Sequence, residues 1–213
     1  MIGAEAQGEK NCSWCTQTRL EIVEMGNPVL RQPARELSKE EILSPEIQQL
    51  IEMMKVTMGG TGVGLAAPQI GCPLQIAVIE DRAEYHKALS PEILKERERV
   101  PVPLHVIINP KITLDESDMI EFFEGCLSVD NCMGVVSRAR SVRVECLNEK
   151  AEPIVIEAKG WYARILQHEI DHLRGTLFLD RVNTKSLTSM ENFDTYWRNR
   201  PIADVRKEIS RLP

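Results

Sequence analysis

The chain has 213 residues, of which 43% are hydrophobic, and a formal net charge of -6 with a pI near 5.4. This length supports one sizeable hydrophobic core and predicts one main domain. An acidic balance argues against direct nucleic-acid binding, because phosphate contacts need basic patches. No apolar run approaches the roughly 20 residues that span a bilayer, so no membrane association is expected.

The first 18 residues are predicted to form a flexible leader. Met1 to Lys10 lacks the basic and apolar segments of a secretory signal. We therefore expect a cytoplasmic bacterial protein, or an already processed organellar form, with its six cysteines reduced. Cys12 and Cys15 form a C-x-x-C pair, a pattern found in redox sites and in half zinc sites. No second pair follows at zinc-finger spacing, so we expect no chemistry there.

Helix and strand signals follow one another in blocks after the leader. Ser44 and Pro45 predict a helix start, and apolar residues three and four apart continue it to Met58. A second, charged helix is predicted from Ser90 to about Arg99. Strands are predicted over residues 74–79, 106–108, 120–123, 142–147 and 153–158.

A long helix is predicted from about Gly160 to Gly175. Because the blocks show no β-α-β alternation, the sequence predicts an α+β fold with mostly antiparallel sheets and further helices near the N-terminus. The segment 186–213 is polar and charged, and its helical periodicity is weak. It is predicted to be a C-terminal surface tail.

The long helix carries the pattern H-E-x-x-H. Residues four apart project from one helix face, so His168 and His172 are placed to bind one divalent metal. At about 100° per residue, both histidines fall within about 60° of Trp161 and Ile165, on an inward face. Glu169 falls in the adjoining apolar arc, where a carboxylate is costly without a partner. One histidine alone would be an ordinary core residue, whereas the pair with an inward Glu favours a metal site.

The remaining face of this helix is polar. Asp171 lies there and is expected to be an ion-paired or surface carboxylate rather than a metal ligand. The polar residues are Arg164, Gln167, Asp171 and Arg174.

Two histidines leave a catalytic divalent metal one protein ligand short. No histidine follows His172, and His86 and His105 lie in weakly specified segments. The best third ligand is Cys126, within Glu124-Gly125-Cys126-Leu127-Ser128. A cysteine taken alone is more often a small core residue.

A third informative stretch reads Gly62-Val63-Gly64-Leu65-Ala66-Ala67-Pro68-Gln69. It lacks the Gly-Lys-Ser/Thr of a phosphate loop and the third Gly of a dinucleotide-binding turn. It is either a tightly packed loop or a place where backbone polar groups approach a substrate. In the second case Gln69 is placed to donate a hydrogen bond.

Together these stretches resemble the peptide deformylase family, whose motifs are G-x-G-x-A-A-x-Q, E-G-C-L-S and H-E-x-D-H in this order. The resemblance covers about Ile22 to Arg181, and the segment 26–31, GNPVLR, is similar to the family's usual opening. The insert between Ile79 and Val106 is similar to the subclass found in plant and animal organelles and some bacteria.

The resemblance implies a central metal-binding helix wrapped by antiparallel sheets, with residues 19–185 as the catalytic domain. It implies removal of the formyl group from formylmethionine at the start of nascent peptides. The protein would bind these peptides where they leave the ribosome. Ferrous iron is the implied native metal, often replaced by Zn2+, Ni2+ or Co2+ in preparations.

The resemblance also assigns site residues. Cys126, His168 and His172 would bind the metal, and Glu169 would act as acid and base. Gln69 and the backbone N–H of Leu127 would stabilise the oxyanion. The expected substrate-binding residues are Gly62, Val63, Gly64, Leu65, Glu124, Gly125 and Ile165.

Met133 departs from the family pattern, because many bacterial members place an Arg seven residues after the ligand Cys. Anchoring of the substrate beyond its first residue is therefore expected to differ. Arg138 matches a family Arg and is expected to pair with Asp171. Two alternatives stay open: a zinc endopeptidase, which lacks its downstream ligand here, and a non-catalytic metal-binding protein, which would not require Glu169.

Overall fold

The computed structural model describes residues 20–60 and 62–211, so the expected leader with Cys12 and Cys15 lies outside the described residues. The helices are α1 (Lys39–Ile42), α2 (Pro45–Met58), α3 (Pro91–Glu96), α4 (Gly160–Leu173), α5 (Met190–Asn192) and α6 (Ile202–Ile209). The strands are β1 (Gly64–Ala66), β2 (Ile76–Asp81), β3 (Val102–Leu114), β4 (Met119–Cys126), β5 (Val129–Ala139), β6 (Ser141–Leu147) and β7 (Pro153–Lys159). Within these two ranges, no helix has the length and apolar character needed to cross a bilayer.

The strands form two antiparallel sheets around one helix. The larger sheet has the order β1-β2-β3-β6-β7, and β4 pairs with β5 in a separate hairpin. Helix α4 contacts strands of both sheets. The predicted α+β fold with antiparallel sheets and a central helix is confirmed.

Helix starts follow the predicted capping chemistry. Ser44 and Ser90 each accept a hydrogen bond from the backbone N–H three residues later, and a proline follows each of them. The charged helix is shorter than expected, because it ends at Glu96 and Arg97 forms its C-cap.

Two strands were not predicted. Strand β5 contains Asp130, Asn131 and Gly134, which break the alternation of apolar and polar residues. Its register with β4 runs from Met119↔Ala139 to Gly125↔Met133. A local sequence pattern does not predict this pairing. Strand β1, read as a loop, pairs with β2 over three residues.

Three of the four residues of the polar face of α4 are buried, whereas Arg174, the C-cap, is exposed. Arg164, Gln167 and Asp171 are each at most 6% exposed. Gln167 accepts a hydrogen bond from the N–H of Ala139 and donates one to its carbonyl oxygen. Asp171 pairs with Arg138, so the expected ion pair is confirmed and the alternative of a surface carboxylate is wrong.

The last described segment packs on the hairpin. Phe193, Val205 and Ile209 are buried against Phe123 and Val135. The boundary at residue 186 stays a prediction. The expectation of a surface tail is wrong for the apolar residues of this segment, because they lie on short helical turns that pack on β4 and β5.

Candidate metal centre and its cavity

Three potential metal ligands converge between the hairpin and the central helix. The ligand atoms of Cys126, at the end of β4, and of His168 and His172, on α4, all lie within 4.8 Å of one another. Cys126 Sγ is 3.2 Å from His172 Nε2. One thiolate and two imidazoles form a donor set that suits a tetrahedral divalent ion with one open position.

Glu124 orients His168. His168 Nδ1 lies 3.1 Å from Glu124 Oε2, so an N–H at Nδ1 donates to this carboxylate and leaves Nε2 free for a metal. Glu124 also accepts two hydrogen bonds of 2.9 Å from Arg138 and one of 2.7 Å from Arg164. Burial alone would raise the pKa of Glu124, but the charge of Arg138 and hydrogen bonds from His168 and Arg138 hold that pKa well below its usual range.

Glu169 is buried beside the three ligands without a partner of its own. It is 3% exposed, and its Oε2 has no hydrogen-bond partner among the described residues. Burial raises the pKa of Glu169 to about 7. A carboxyl group in this state is typical of a functional site, where a bound ion or water completes its contacts.

The side chain of Gln69 points its amide nitrogen towards the ligand cysteine. The backbone N–H of Ala66 donates to Gln69 Oε1 at 2.9 Å, which fixes the orientation of the amide. Gln69 Nε2 then lies 3.3 Å from Ser128 Oγ and 3.5 Å from Cys126 Sγ. A donor is therefore held at the edge of the candidate metal centre.

A cavity of about 420 Å³ opens onto this centre. Most of the predicted site residues line it: Gly62, Val63, Gly64, Gln69, Glu124, Gly125, Cys126, Leu127, Ile165, His168 and Glu169. Two predicted residues do not. The side chain of Leu65 is fully buried in the core, and His172 is 1% exposed behind the other ligands.

Part of the cavity wall was not expected from the sequence. Arg97 and Arg99 come from the insert between β2 and β3, and Met190, Phe193 and Arg198 come from the C-terminal segment. The charged helix gave no signal for a cavity, because charged residues usually indicate a solvated surface. The four-residue spacing of Phe193 and Trp197 was a weak signal for packing.

The insert and the C-terminal segment are bonded to each other. The N–H of Ser90 donates to Asn199 Oδ1 at 3.1 Å, and the N–H of Ile202 donates to Glu96 Oε1 at 3.0 Å. These contacts join two segments that are more than 100 residues apart in the chain. They hold one side of the cavity wall together.

Met133, which departs from the motif pattern of the resemblance, lines the cavity. It lies opposite Gly125 in the hairpin, and a Cβ at Gly125 would come within 2.4 Å of Met133 Sδ. The wall at this point is therefore apolar and closely packed.

Comparison with known proteins agrees with this geometry. The profile of the family described as polypeptide deformylase matches residues 19–187. The chain is 46% identical over 179 residues to the chloroplastic peptide deformylase 1A of Solanum lycopersicum, covering 84% of this chain and 65% of that protein's length. It is 44% identical over 180 residues to peptide deformylase 3 of Streptomyces avermitilis, covering 84% and 78% of the two chains.

The fold is also similar to that of a solved peptide deformylase structure. The fold matches the Met-Ala-Ser-bound crystal structure of a class I type b peptide deformylase from Acinetobacter baumannii with a TM-score of 0.68 and 33% identity. The match covers 77% of this chain and 98% of that one. The chain belongs to the polypeptide deformylase family, with plant organellar and bacterial members among its relatives.

Proposed function

We propose that this chain is a metal-dependent hydrolase that removes the N-formyl group from formylmethionine at the start of newly synthesised polypeptides. The observation that carries the proposal is a buried, unpartnered Glu169 beside the convergent ligand atoms of Cys126, His168 and His172. Membership of the deformylase family supports the reaction class. The Met-Ala-Ser peptide bound by the Acinetobacter relative supports the substrate class.

The donor set of Cys126, His168 and His172 fits one divalent ion, and the unpaired Oε2 of Glu169 points to a missing neighbour at the same place. When bound, such an ion lowers the pKa of a water molecule towards neutrality. Ferrous iron is the proposed native ion, with zinc, nickel or cobalt as replacements in preparations.

The residues around the centre transfer the proton and stabilise the negative charge that develops during the reaction. Glu169 accepts a proton from the attacking water and returns it to the amine nitrogen as the C–N bond breaks and formate leaves. Burial raises the pKa of this carboxyl group, which favours its holding the proton until the amine takes it up. Gln69 Nε2 and the backbone N–H of Leu127 donate to the formyl oxygen as negative charge develops there.

The peptide is proposed to bind as an extra strand beside β1. Strand β1 is at the edge of its sheet, and Gly62 to Gly64 line the cavity. The methionine side chain would lie against Val63, Ile165 and His168, while Leu65 contributes only backbone. Glu124 and Gly125 complete the wall beside the ligand cysteine.

The proposed partners are formylmethionyl nascent chains where they leave the ribosome. The proposed location is the bacterial cytoplasm, with a processed organellar form as the alternative. The relationship to a chloroplastic protein keeps the second location open.

The test compares formyl-Met-Ala-Ser, acetyl-Met-Ala-Ser and a longer unformylated peptide, using anaerobically purified, metal-loaded protein. We expect formate from the first peptide and no reaction of the other two. Cleavage inside the unformylated peptide would indicate an endopeptidase. No turnover of any peptide would indicate a metal-binding protein without catalysis.

A further inference from the structure

One arginine in the cavity wall is buried without a carboxylate partner. Arg97 is 6% exposed and lines the cavity. Its Nε has no hydrogen-bond partner, and Arg97 forms no ion pair with any acidic residue of the described part of the chain. By contrast, Arg99, Arg164 and Arg198, which line the same cavity, each pair with a carboxylate.

The surroundings of Arg97 compensate its charge only in part. Its guanidinium carbon lies 5.1 Å from the ring centroid of Trp161 and 5.7 Å from that of Phe122. Arg99 and Arg164 lie over the same rings. Burial, and then the charges of its arginine neighbours, lower the pKa of Arg97 to about 10, so it is still protonated at neutral pH. The charge of Glu96 acts in the opposite direction and raises this pKa, so the wall carries a positive charge that is compensated only in part.

The backbone around Arg97 is fixed against the start of α4. The N–H of Arg97 donates to the carbonyl oxygen of Ile93 at 3.0 Å. A Cβ at Gly160 would lie 2.7 Å from the carbonyl oxygen of Arg97, and Gly160 has a φ of 57°. Only a residue without a side chain lets the two segments approach so closely. The guanidinium is thus held beside Trp161, on the first turn of α4.

The position of Arg97 relative to a bound peptide is inferred by comparing the residue spacing of an extended peptide with that of helix α4. This inference rests on the proposed function. In an extended peptide, the side chains of the first and third residues point the same way, about 6.6 Å apart. Trp161 precedes Ile165 by one helical turn, about 6 Å along the axis. All four of Arg97, Trp161, Ile165 and His168 line the cavity, so a peptide that extends from Ile165 towards the first turn of α4 places its third side chain near Trp161 and Arg97.

We propose that Arg97 is a specificity-determining residue that binds a carboxylate at the third position of the formylated peptide. The carboxylate belongs either to an Asp or Glu side chain at that position or to the free C-terminus of a tripeptide. Elsewhere in the lining, Asp130 is exposed and carries a negative charge. Because the other arginines of the lining already pair with carboxylates, a preference for a carboxylate is expected only beside Arg97.

The experiment measures kcat/KM for formyl-Met-Ala-Xaa-amide peptides with Glu, Gln or Lys as Xaa. We expect the wild-type protein to prefer Glu over Gln by at least ~10-fold, with Lys the poorest, because a buried charge-assisted hydrogen bond is gained only with Glu. Formyl-Met-Ala-Ser as the free acid and as the amide separates the C-terminal source from the side-chain source. A formyl-Met-Glu-Ala-amide peptide should show no such gain over its Gln counterpart.

The variants isolate the charge of Arg97. Arg97→Met keeps an apolar stem against Trp161 and is expected to reduce the Glu/Gln ratio to within about twofold of unity, while Arg97→Lys keeps part of the ratio. Arg198→Met is the matched control, because Arg198 lines the same cavity but already pairs with Asp194. It should keep the wild-type ratio.

The proposal would be overturned by equal rates with Glu and Gln in the wild-type protein together with equal rates for the free acid and the amide of formyl-Met-Ala-Ser, and also by wild-type ratios in Arg97→Met. The first of these comparisons needs no variant, so it stands even if Arg97→Met fails to fold. If no formylated peptide is turned over, the deformylase function is lost. The role of Arg97 is then judged by calorimetry with Met-Ala-Glu-amide and Met-Ala-Gln-amide. A tenfold difference in affinity supports it and equal affinities overturn it.

Discussion

The carboxylate of Glu169 fills the space that a side chain at Gly64 would need, since a Cβ at Gly64 would lie 2.1 Å from Glu169 Oε1. Gly64→Ala is therefore expected to displace Glu169 and lower kcat for formyl-Met-Ala-Ser by at least ~100-fold, with metal content retained. Gly59→Ala is the control, because Gly59 does not line the cavity and its Cβ would meet only backbone oxygens at 3.4 Å. Equal losses in the two variants would contradict this relationship.

Glu169→Gln removes the proton acceptor and keeps the shape of the side chain. We expect the variant to retain its metal and to lose at least ~100-fold in activity, the usual scale for an acid–base group. Formate release and metal content are measured on the same samples. Glu121→Gln is the control, because Glu121 pairs with Arg206 away from the centre. Near-normal turnover in Glu169→Gln would remove Glu169 from the proposed mechanism.

Two half-buried cysteines of the hairpin offer a matched pair for testing the ligands. Cys126 belongs to the convergent ligand group, and Cys132 does not. We expect Cys126→Ser to lose most of its bound metal and Cys132→Ser to retain it, measured by atomic emission after dialysis. Full metal content in Cys126→Ser would exclude Cys126 as a ligand.

Sensitivity to oxygen should depend on the bound metal. A thiolate ligand at Cys126 is open to oxidation, and ferrous iron reacts with oxygen, whereas zinc has no redox chemistry. We expect the iron-loaded protein to lose activity in air while nickel and zinc forms persist, with oxidation found on the Cys126 peptide by mass spectrometry. A variant with Cys12 and Cys15 changed to Ser should inactivate at the same rate. Equal durability of the iron and nickel forms would argue against an iron–thiolate centre.

Phe193 should anchor the C-terminal segment on the hairpin. It is 4% exposed, and its ring centroid lies 5.2 Å from that of Phe123. We expect Phe193→Ala to lower the free energy of unfolding by about 3 kcal/mol, at the low end for a buried Phe, and to speed proteolysis after residue 190. Tyr196→Ala, at a position 59% exposed, should have little effect. Indistinguishable stability of the two variants would show that the segment is not anchored through Phe193.

The sequence predicted the residues of the candidate metal centre better than the other residues that line the cavity. Periodicity placed His168, Glu169 and His172 on the inner side of a helix, and the structure brings Cys126 to them. This succeeded because helical spacing alone decides which side chains share a face. The contribution of Arg97 depends on where a distant insert folds back, and no local pattern carries that information.

Buried polar groups account for the other errors. Arg164 and Asp171 were assigned to a polar face, which usually indicates solvent. Their partners, Glu124 and Arg138, lie on the hairpin, and only the folded chain brings these charges together. Strand β5 was missed for a related reason, since pairing with β4 stabilises a segment whose own sequence favours turns.

Arg138 is shared by two buried carboxylates, because it pairs with both Glu124 and Asp171. Replacing Arg138 alone would leave Glu124 with Arg164 and Asp171 with Arg181 as their arginine partners, and removing one partner of a buried pair typically costs about 3–5 kcal/mol. Epistasis is therefore expected among these three positions, because the loss of Arg138 leaves both carboxylates less well compensated. Homologues should either keep Glu124, Arg138 and Asp171 together or replace all three. A variant in which only one of the three is changed should be less stable than either of these.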